Sequence, residues 1–299
     1  MNNHTFKIHS DTQIAHVELQ VRDLDNMLRF YGQLMGFQVV EQAHGRARLA
    51  AQPDSPALLT LVHNPQAELQ PSSSFGVGLY HTAFRFAGRG PLATTLLRVV
   101  AAGWPLQGAS DHQVSEAIYF ADPEGNGIEI YRDRPRANWP RLQDSIQMGN
   151  LPLDLNKLLE EADREAAEAG AIDPGTDIGH IHLQVSDTGL AQSFYGDVLG
   201  LDVMMAMPSA LFMAAGGYHH HLGANIWHSR GAPARQAGRT GLLSYAYRVP
   251  DAAGWQALQQ QLTGSGRELL SIEREGAPGL SLPDQDGIQV ELLGPKEPS

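Results

Sequence analysis

The sequence has no cysteine, and it has no long apolar run. Disulfide bonds and thiolate metal ligands are therefore excluded, so any metal must be held by histidine, aspartate or glutamate. No stretch approaches the ~18 apolar residues that a membrane span requires. The first ten residues, MNNHTFKIHS, contain no apolar core of signal-peptide length. We expect a cytoplasmic protein that does not bind membranes.

Basic residues are the minority among the charged ones. Lys and Arg number 21 against 33 Asp and Glu, which gives a net charge of −12 and a pI near 5.5. Since nucleic acid and anionic membranes repel an acidic protein, neither is an expected partner, and small molecules remain open. The 299 residues are 42% hydrophobic, which is enough apolar material for about two folded domains.

The two halves of the chain are similar in sequence. Four pairs of segments match between the halves: 15–23 with 179–187 (AHVELQVRD, GHIHLQVSD), 30–40 with 194–204 (FYGQLMGFQVV, FYGDVLGLDVM), 78–86 with 241–249 (GLYHTAFRF, GLLSYAYRV), and 122–131 with 282–291 (DPEGNGIEIY, LPDQDGIQVE). A repeat of half the chain length indicates a duplicated domain and not a solenoid.

Each half itself contains two similar modules. Residues 14–21 alternate between apolar and polar, which predicts a strand; a helix and three short strands follow up to residue 62. The same order begins again at residue 79. We therefore predict an α+β protein of four βαβββ modules in two tandem domains, each a curved sheet with helices outside. The predicted bounds are 10–134 for the N-terminal domain, 135–175 for a linker with a helix ending at Gly170, and 176–295 for the C-terminal domain.

The inner face of a curved sheet forms a cup, and its outer face packs against the helices. Three polar residues of the N-terminal half fall on strand faces that would line such a cup. They are His16 on the first strand, His81 on the first strand of the second module, and Glu129 on its last strand. Two neutral imidazoles and one carboxylate can hold a divalent metal and leave positions open for substrate and dioxygen or water. A single strand histidine is also compatible with a hydrogen-bonded core residue, so the prediction depends on all three residues together.

The modules, the first-strand histidines and the segment DPEGNGIEIY together resemble the vicinal oxygen chelate superfamily, which includes glyoxalase I, fosfomycin-resistance proteins and extradiol dioxygenases. The segments GLYHTAF, SDHQVSEAIYF and YHHHLG are most similar to the bacterial two-domain catechol 2,3-dioxygenase group. The resemblance covers nearly the whole chain except the linker and the tails. It implies a metal held by His16, His81 and Glu129, with Fe(II) first and Mn, Zn or Ni as alternatives. It also implies a homodimer.

The C-terminal half departs from this pattern. His180 matches His16, but Ser244 stands where the first half has His81, and Gln289 stands where it has Glu129. If the last strand is shifted by two residues, Glu291 takes the carboxylate position instead. A second ligand set of His180, His220 and Glu291 is then conceivable, although we expect the N-terminal cup to be the main site.

Further polar groups are candidates for proton transfer. The resemblance gives His220, in the run His219 to His221, the acid–base role of extradiol dioxygenases; the alternative is that these histidines only pack together. His112, between Asp111 and Glu116, could move protons or orient a ligand, or it could belong to a turn. Tyr119 could line the cup or pack in the core. We predict His112, His220 and Tyr119 as the catalytic side chains.

The predicted function is extradiol cleavage of a catecholic ring by a metal-dependent dioxygenase that uses O2. One alternative is a glyoxalase-like isomerase, a hydrolase or a thiol transferase at the same metal, since a fold does not select a chemistry. The other is a protein of the bleomycin-resistance type that binds an aromatic ligand without catalysis. The sequence does not name the substrate beyond a small aromatic compound.

Overall fold

Four βαβββ modules form the protein in the computed structural model, which describes residues 6–70, 76–143, 145–234 and 236–296. In module 1, strand β1 covers Gln13–Val21, helix α1 covers Leu24–Leu28 and continues as a π-helical segment over Arg29–Leu34, and strands β2 to β4 cover Gln38–Ala43, Arg46–Ala50 and Leu59–His63. In module 2, β5 covers Gly78–Phe86, α2 covers Arg89–Ala101, and β6 to β8 cover Gly108–Asp111, Ser115–Ala121 and Gly127–Asp133.

The second half repeats this order. In module 3, β11 covers Asp177–Gln184, α5 covers Thr188–Gln192 and continues as a π-helical segment over Ser193–Val198, and β12 to β14 cover Asp202–Met207, Ala210–Ala214 and Leu222–Asn225. In module 4, β15 covers Gly241–Arg248, α6 covers Ala252–Gly264, and β16 to β18 cover Leu270–Arg274, Ala277–Pro283 and Gln289–Leu293. The predicted α+β class with four modules is confirmed.

The connection between the halves holds more structure than the single helix expected from its sequence. It contains a 3₁₀ turn at Arg136–Asn138, a small hairpin of β9 (Arg141–Leu142) and β10 (Ser145–Ile146), and two short helices, α3 (Leu155–Leu159) and α4 (Arg164–Ala169). The helix is divided because the Asp163 side chain caps a new N-terminus at Ala166 N. Gly170 ends α4 in the left-handed conformation, at φ 79°, as predicted.

Strand pairing crosses between the halves. β1 of module 1 pairs antiparallel with β15 of module 4, and β5 of module 2 pairs antiparallel with β11 of module 3. The modules are joined in one continuous sheet, in which β1 and β11 also meet at Ile14 and Ile178. One cup is therefore lined by modules 2 and 3, and the other by modules 1 and 4. This differs from the expectation that the two modules of each half line a common cup. The domain bounds predicted from the sequence stay a prediction.

Buried tyrosines connect each first helix to a distant turn. The hydroxyl of Tyr31 donates to Asp122 at 3.0 Å, and in the second half the hydroxyl of Tyr195 donates to Asp284 at 2.8 Å. Both tyrosines are almost inaccessible to solvent, so each bond satisfies a phenol that burial would otherwise leave without a partner. The last strand of each half is thereby held against the helix that precedes it by about ninety residues.

Among the described residues, no helix has the length and apolar character needed to cross a lipid bilayer.

Candidate metal centre

The cup of modules 2 and 3 brings His81, Glu129 and His180 together. Strand pairing explains this placement, because Ala83 of β5 is the register partner of Glu129 on one side and of His180 on the other. His81 lies two residues before Ala83, and side chains two apart point to the same face of a strand. All three ligand candidates are buried, and each offers one atom to a group in which the atoms lie within 4.8 Å of one another.

The distances among these three donors fit a metal ion. His81 Nε2 lies 3.0 Å from Glu129 Oε2, His180 Nε2 lies 3.1 Å from the same oxygen, and the two nitrogens are 3.3 Å apart. A cation about 2.1 Å from three donors at right angles would separate neighbouring donors by about 3 Å. Two imidazoles and one carboxylate on one face are the donor set that non-haem iron and similar divalent metals use, with the opposite face open.

Burial prepares these side chains for a cation. It lowers the pKa of His180 to about 4, against an opposing effect from Glu129, so its imidazole is neutral at pH 7. Burial raises the pKa of Glu129, but the charge interaction and hydrogen bond with His180, together with those of His81, bring it well below its usual value. Glu129 therefore contributes a negative charge in a buried position, where a divalent cation would compensate it.

The three donors lie on the wall of a large cavity with a volume of about 870 Å³. Aromatic and sulfur-containing side chains form an apolar part of its wall: Tyr80, Met148, Met205, Met207, Phe212 and Trp227. Tyr80 and Trp227 contact each other edge to face, with ring centroids 5.3 Å apart, and each is more than a third exposed. A planar aromatic compound would find both apolar contact and polar groups in this cavity.

His16 is not part of this group. The grouping of His16 with His81 and Glu129 must be corrected, because β1 pairs with β15 and thereby carries His16 into the cup of modules 1 and 4. There His16 Nε2 lies 2.8 Å from the hydroxyl of Thr60. His180, its counterpart in the repeat, takes the expected place beside His81 and Glu129. The alternative set of His180, His220 and Glu291 is divided in the same way, since β18 carries Glu291 into the other cup.

His220 lies against the metal-ligand group and belongs to a chain of hydrogen bonds. Its ring centroid is 4.1 Å from that of His180, and the side chain lines the cavity. Its Nδ1 is 2.9 Å from Nδ1 of His219, whose Nε2 is 2.8 Å from Asp133 Oδ1. Burial holds the pKa of His220 well below 6.5, so the ring is neutral. The second ring nitrogen, Nε2, has no hydrogen-bond partner among the described residues.

His112 and Tyr119 form a second pair at the cavity wall. His112 Nδ1 lies 2.8 Å from the carbonyl oxygen of Gly149, and His112 Nε2 lies 2.7 Å from the Tyr119 hydroxyl. The backbone carbonyl can only accept, so Nδ1 carries the proton and Nε2 accepts from the phenol. Burial raises the pKa of Tyr119 well above 10, which keeps the phenol protonated. The Tyr119 ring is 5.6 Å from that of His81.

Sequence reasoning missed His182, Asp133 and Trp227. His182 lies 4.9 Å from His81 between ring centroids, and its Nε2 accepts from Asn225 Nδ2 at 3.1 Å. The alternation of the strand could have found it, because His182 shares a face with His180. Asp133 could have been found in the same way, because it lies four residues after Glu129 on the same strand and therefore on the same face. No sequence signal indicated Trp227, which follows β14 and reaches the cavity through the tertiary fold.

The comparisons with known proteins identify the family. A model described as the Glyoxalase/Bleomycin resistance protein/Dioxygenase superfamily matches residues 13–130 and 177–292. The chain belongs to this superfamily. It is 44% identical over 246 residues to catechol-2,3-dioxygenase of Bacillus subtilis (strain 168), a match that covers 81% of this chain and 85% of that protein. The resemblance predicted from the sequence is thus confirmed.

A more distant relative and a solved structure are also similar to this chain. Over 121 residues the chain is 29% identical to biphenyl-2,3-diol 1,2-dioxygenase 3 of Rhodococcus globerulus, covering 40% of this chain and 63% of that protein. The crystal structure of glyoxalase I from Zea mays is similar with a TM-score of 0.56 at 16% identity, covering 95% of this chain and 92% of that one. The second similarity concerns the fold alone. Homology to dioxygenases and the group of His81, Glu129 and His180 both indicate a site for a divalent metal.

Proposed function

We propose that the protein is an extradiol dioxygenase that opens the ring of a catecholic substrate with O2, and that His81, Glu129 and His180 hold its metal, with Fe(II) as the first candidate. The observation that carries the proposal is the buried group of three donors about 3 Å apart on the wall of an aromatic-lined cavity. The 44% identity to a catechol-2,3-dioxygenase supports the reaction. The predicted homodimer and cytoplasmic location stay predictions.

A divalent metal held by these three residues would supply Lewis-acid activation of a catechol hydroxyl and a template that orients substrate and dioxygen. The chain itself shields the three donors from bulk solvent, since all three are buried. Tyr80, Phe212 and Trp227 offer faces and edges for an aromatic ring. The three donors and the aromatic wall then fix the diol end of the substrate and its ring separately.

His220 is the side chain best placed to take a proton from a substrate hydroxyl. Asp133 is ionised, because hydrogen bonding with His219 and the charge of Arg85 outweigh burial and lower its pKa. It therefore accepts the Nε2 proton of His219. With both imidazoles neutral, His219 Nδ1 accepts from His220 Nδ1, which leaves Nε2 of His220, a side chain that lines the cavity, as an unprotonated acceptor. A neutral imidazole in this tautomer is a general base in reach of the cavity contents.

His112 has a different part in this proposal. Both its ring nitrogens are occupied, one by the Gly149 carbonyl and one by the Tyr119 phenol. It therefore orients Tyr119, whose oxygen keeps lone pairs to accept a hydrogen bond from a bound substrate. Of the three side chains predicted as catalytic from the sequence, His220 and Tyr119 would touch the substrate, and His112 would position Tyr119.

The test combines metal content with ring cleavage. Wild type, His81→Ala, His180→Ala and His16→Ala are loaded anaerobically with Fe(II), desalted, and assayed for bound iron and for the ring-opened product of catechols in air. We expect His81→Ala and His180→Ala to lose most of the iron and the activity. His16→Ala is the matched control, because it removes the corresponding buried histidine from the other cup, and we expect it to retain both.

The proposal fails if wild type binds iron at the three donors but opens no catechol ring in air. That result would favour the isomerase, hydrolase or thiol transferase chemistry on the same metal. A wild type that holds no Fe(II), Mn(II) or Zn(II) would instead favour a ligand-binding protein without catalysis. Loss of iron in His16→Ala but not in His180→Ala would refute the assignment of the donors.

A further inference from the structure

The cup of modules 1 and 4 copies the geometry of the metal centre. In the metal centre Ala83 is the register partner of both Glu129 and His180. In the other cup Ala246 is the register partner of both Glu291 and His16. His16 therefore corresponds to His180, and Glu291 corresponds to Glu129.

The two histidines are also directed alike. Nδ1 of His16 and Nδ1 of His180 are both buried without a hydrogen-bond partner. In each ring it is Nε2 that faces the polar groups of its own cup. Two of the three metal-binding positions are thus preserved in the second cup, with the same orientation of the donor atom.

Three other positions have changed together. Ser244 stands where the metal centre has His81. Each residue lies three positions after the glycine that begins its strand, Gly78 in β5 and Gly241 in β15. Ser281 pairs with Glu291 as Tyr119 pairs with Glu129, and Leu270 pairs with Ser281 as Gly108 pairs with Tyr119. Arg274 lies four residues after Leu270, as His112 lies four residues after Gly108, so Arg274 takes the place of His112. Two large side chains have become serines, and a histidine has become an arginine.

The guanidinium of Arg274 fills the space that these changes leave. Its Nε donates to Glu291 Oε2 and its Nη2 to Glu291 Oε1, each at 2.8 Å, and its Nη1 lies 3.5 Å from His16 Nε2. The Ser244 hydroxyl donates to Glu291 Oε1 at 2.9 Å. We infer that the guanidinium of Arg274 takes, in this second cup, the place of the metal cation, so that the chain holds one metal centre and one arginine-filled counterpart.

The surrounding charges agree with a permanent internal cation. Arg274 Nη2 also lies 3.4 Å from Glu18 Oε2, and Arg46 donates to the same oxygen at 2.5 Å. Burial, assisted by the charge of Arg274, holds the pKa of His16 well below 6.5, so its imidazole adds no charge. A planar fork bound bidentately to a carboxylate satisfies Glu291 without any metal.

The arginine has a functional consequence. A guanidinium carries one positive charge and offers only hydrogen-bond donors, so it has no open coordination position for a substrate oxygen. Its positive charge compensates the negative charges of Glu291 and Glu18. These contacts connect β16, which carries Arg274, with β18 and with β1. The second cup is therefore a structural ion-pair core, and a single metal per chain is the expected stoichiometry.

The experiment restores the missing donor and removes the arginine. Wild type, His16→Ala, the double variant Ser244→His/Arg274→Ala, and that double variant with His16→Ala added are dialysed against Co(II) under anaerobic conditions. Bound cobalt is counted by mass spectrometry, and the visible absorption of Co(II) reports the ligand field. Thermal unfolding followed by circular dichroism, with and without Co(II), reports folding.

We expect the double variant to bind one equivalent of Co(II) more than wild type, and to lose it again when His16→Ala is added. Because the result is a difference from wild type, it holds whether or not the first cup is a dioxygenase centre. A folded double variant with the cobalt content of wild type overturns the inference. If the double variant folds only when Co(II) is present, the metal has replaced the cation, and the inference is supported.

The unmodified cup provides a second test that needs no redesign. His16→Ala alone should leave the cobalt content and the Co(II) spectrum of the protein unchanged, because Arg274 keeps metal out of this cup. Loss of one equivalent of cobalt in His16→Ala overturns the inference. This arm decides the question if the double variant does not fold in either condition.

Discussion

In the proposed proton path Asp133 sets the tautomer of His220 through His219, and Asp133→Asn tests this directly. In the native protein Asp133 Oδ2 receives hydrogen bonds from Tyr218 Oη at 2.8 Å and Arg85 Nη1 at 3.3 Å, whereas Oδ1 receives one from His219 Nε2 at 2.8 Å. An asparagine keeps its single carbonyl oxygen toward the charged Arg85, so its amide NH2 faces His219. His219 Nε2 must then accept from the amide. His219 therefore carries its proton on Nδ1 and donates it to His220 Nδ1, so His220 carries its own proton on Nε2.

The reversed series of hydrogen bonds puts a proton on Nε2 of His220, a side chain that lines the cavity. A neutral imidazole protonated there is no longer a base for a substrate hydroxyl. General acid–base catalysis contributes about 10²- to 10⁴-fold, so we expect kcat to fall by that factor, which corresponds to about 3 to 5 kcal/mol in the activation barrier. The metal content should not change, because none of the three donors touches Asp133.

The assay is kcat for catechol ring opening at saturating substrate and O2, together with bound iron and the thermal midpoint of each variant. Asp177→Asn is the matched control: Asp177 binds the other edge of Arg85, at 3.0 and 2.6 Å, but makes no contact with His219. We expect its kcat to stay within a few-fold of wild type. An Asp133→Asn enzyme with full iron content and wild-type kcat would refute the proposed proton path.

Three further predictions concern stability. Because burial lowers the folded-state pKa of His180 to about 4, the unfolded chain binds the proton more readily between pH 6.5 and 4. The free energy of unfolding of the metal-free protein should therefore decrease by up to about 3 kcal/mol from this residue as pH falls through that window, and its thermal midpoint should fall with it; a flat profile would contradict this. Tyr31→Phe and Tyr195→Phe each leave a buried aspartate one donor short, so each should lower the free energy of unfolding in urea by about 1 to 3 kcal/mol without loss of iron. Gly179→Ala would place a Cβ 1.6 Å from the Tyr131 hydroxyl, so it should lower the free energy of unfolding by about 1 to 3 kcal/mol or more. The control is Gly264→Ala, whose Cβ would have no atom within 4 Å and which should be neutral or slightly stabilising. Equal effects of the two substitutions would show that the protein relaxes around the Gly179 contact.

The sequence alone determined the modules and the chemistry of the donors. Alternation and helical spacing are local properties, so the order strand, helix, three strands can be predicted within each module, and the internal match shows that it occurs four times. The residue types at three positions, two histidines and a glutamate, indicated a metal before any contact was known. His81 and Glu129 could be paired correctly because they belong to one module, where β5 and β8 are direct neighbours.

Only the tertiary structure decided which modules share a cup. His16 and His180 occupy equivalent places in the repeat, and nothing local distinguishes a first strand that pairs with β15 from one that pairs with β5. The choice depends on contacts between strands about a hundred or more residues apart, whose side chains alternate in the same way and would fit either partner. The same long-range pairing brings Arg274 between His16 and Glu291, a contact that no periodicity in the sequence indicates.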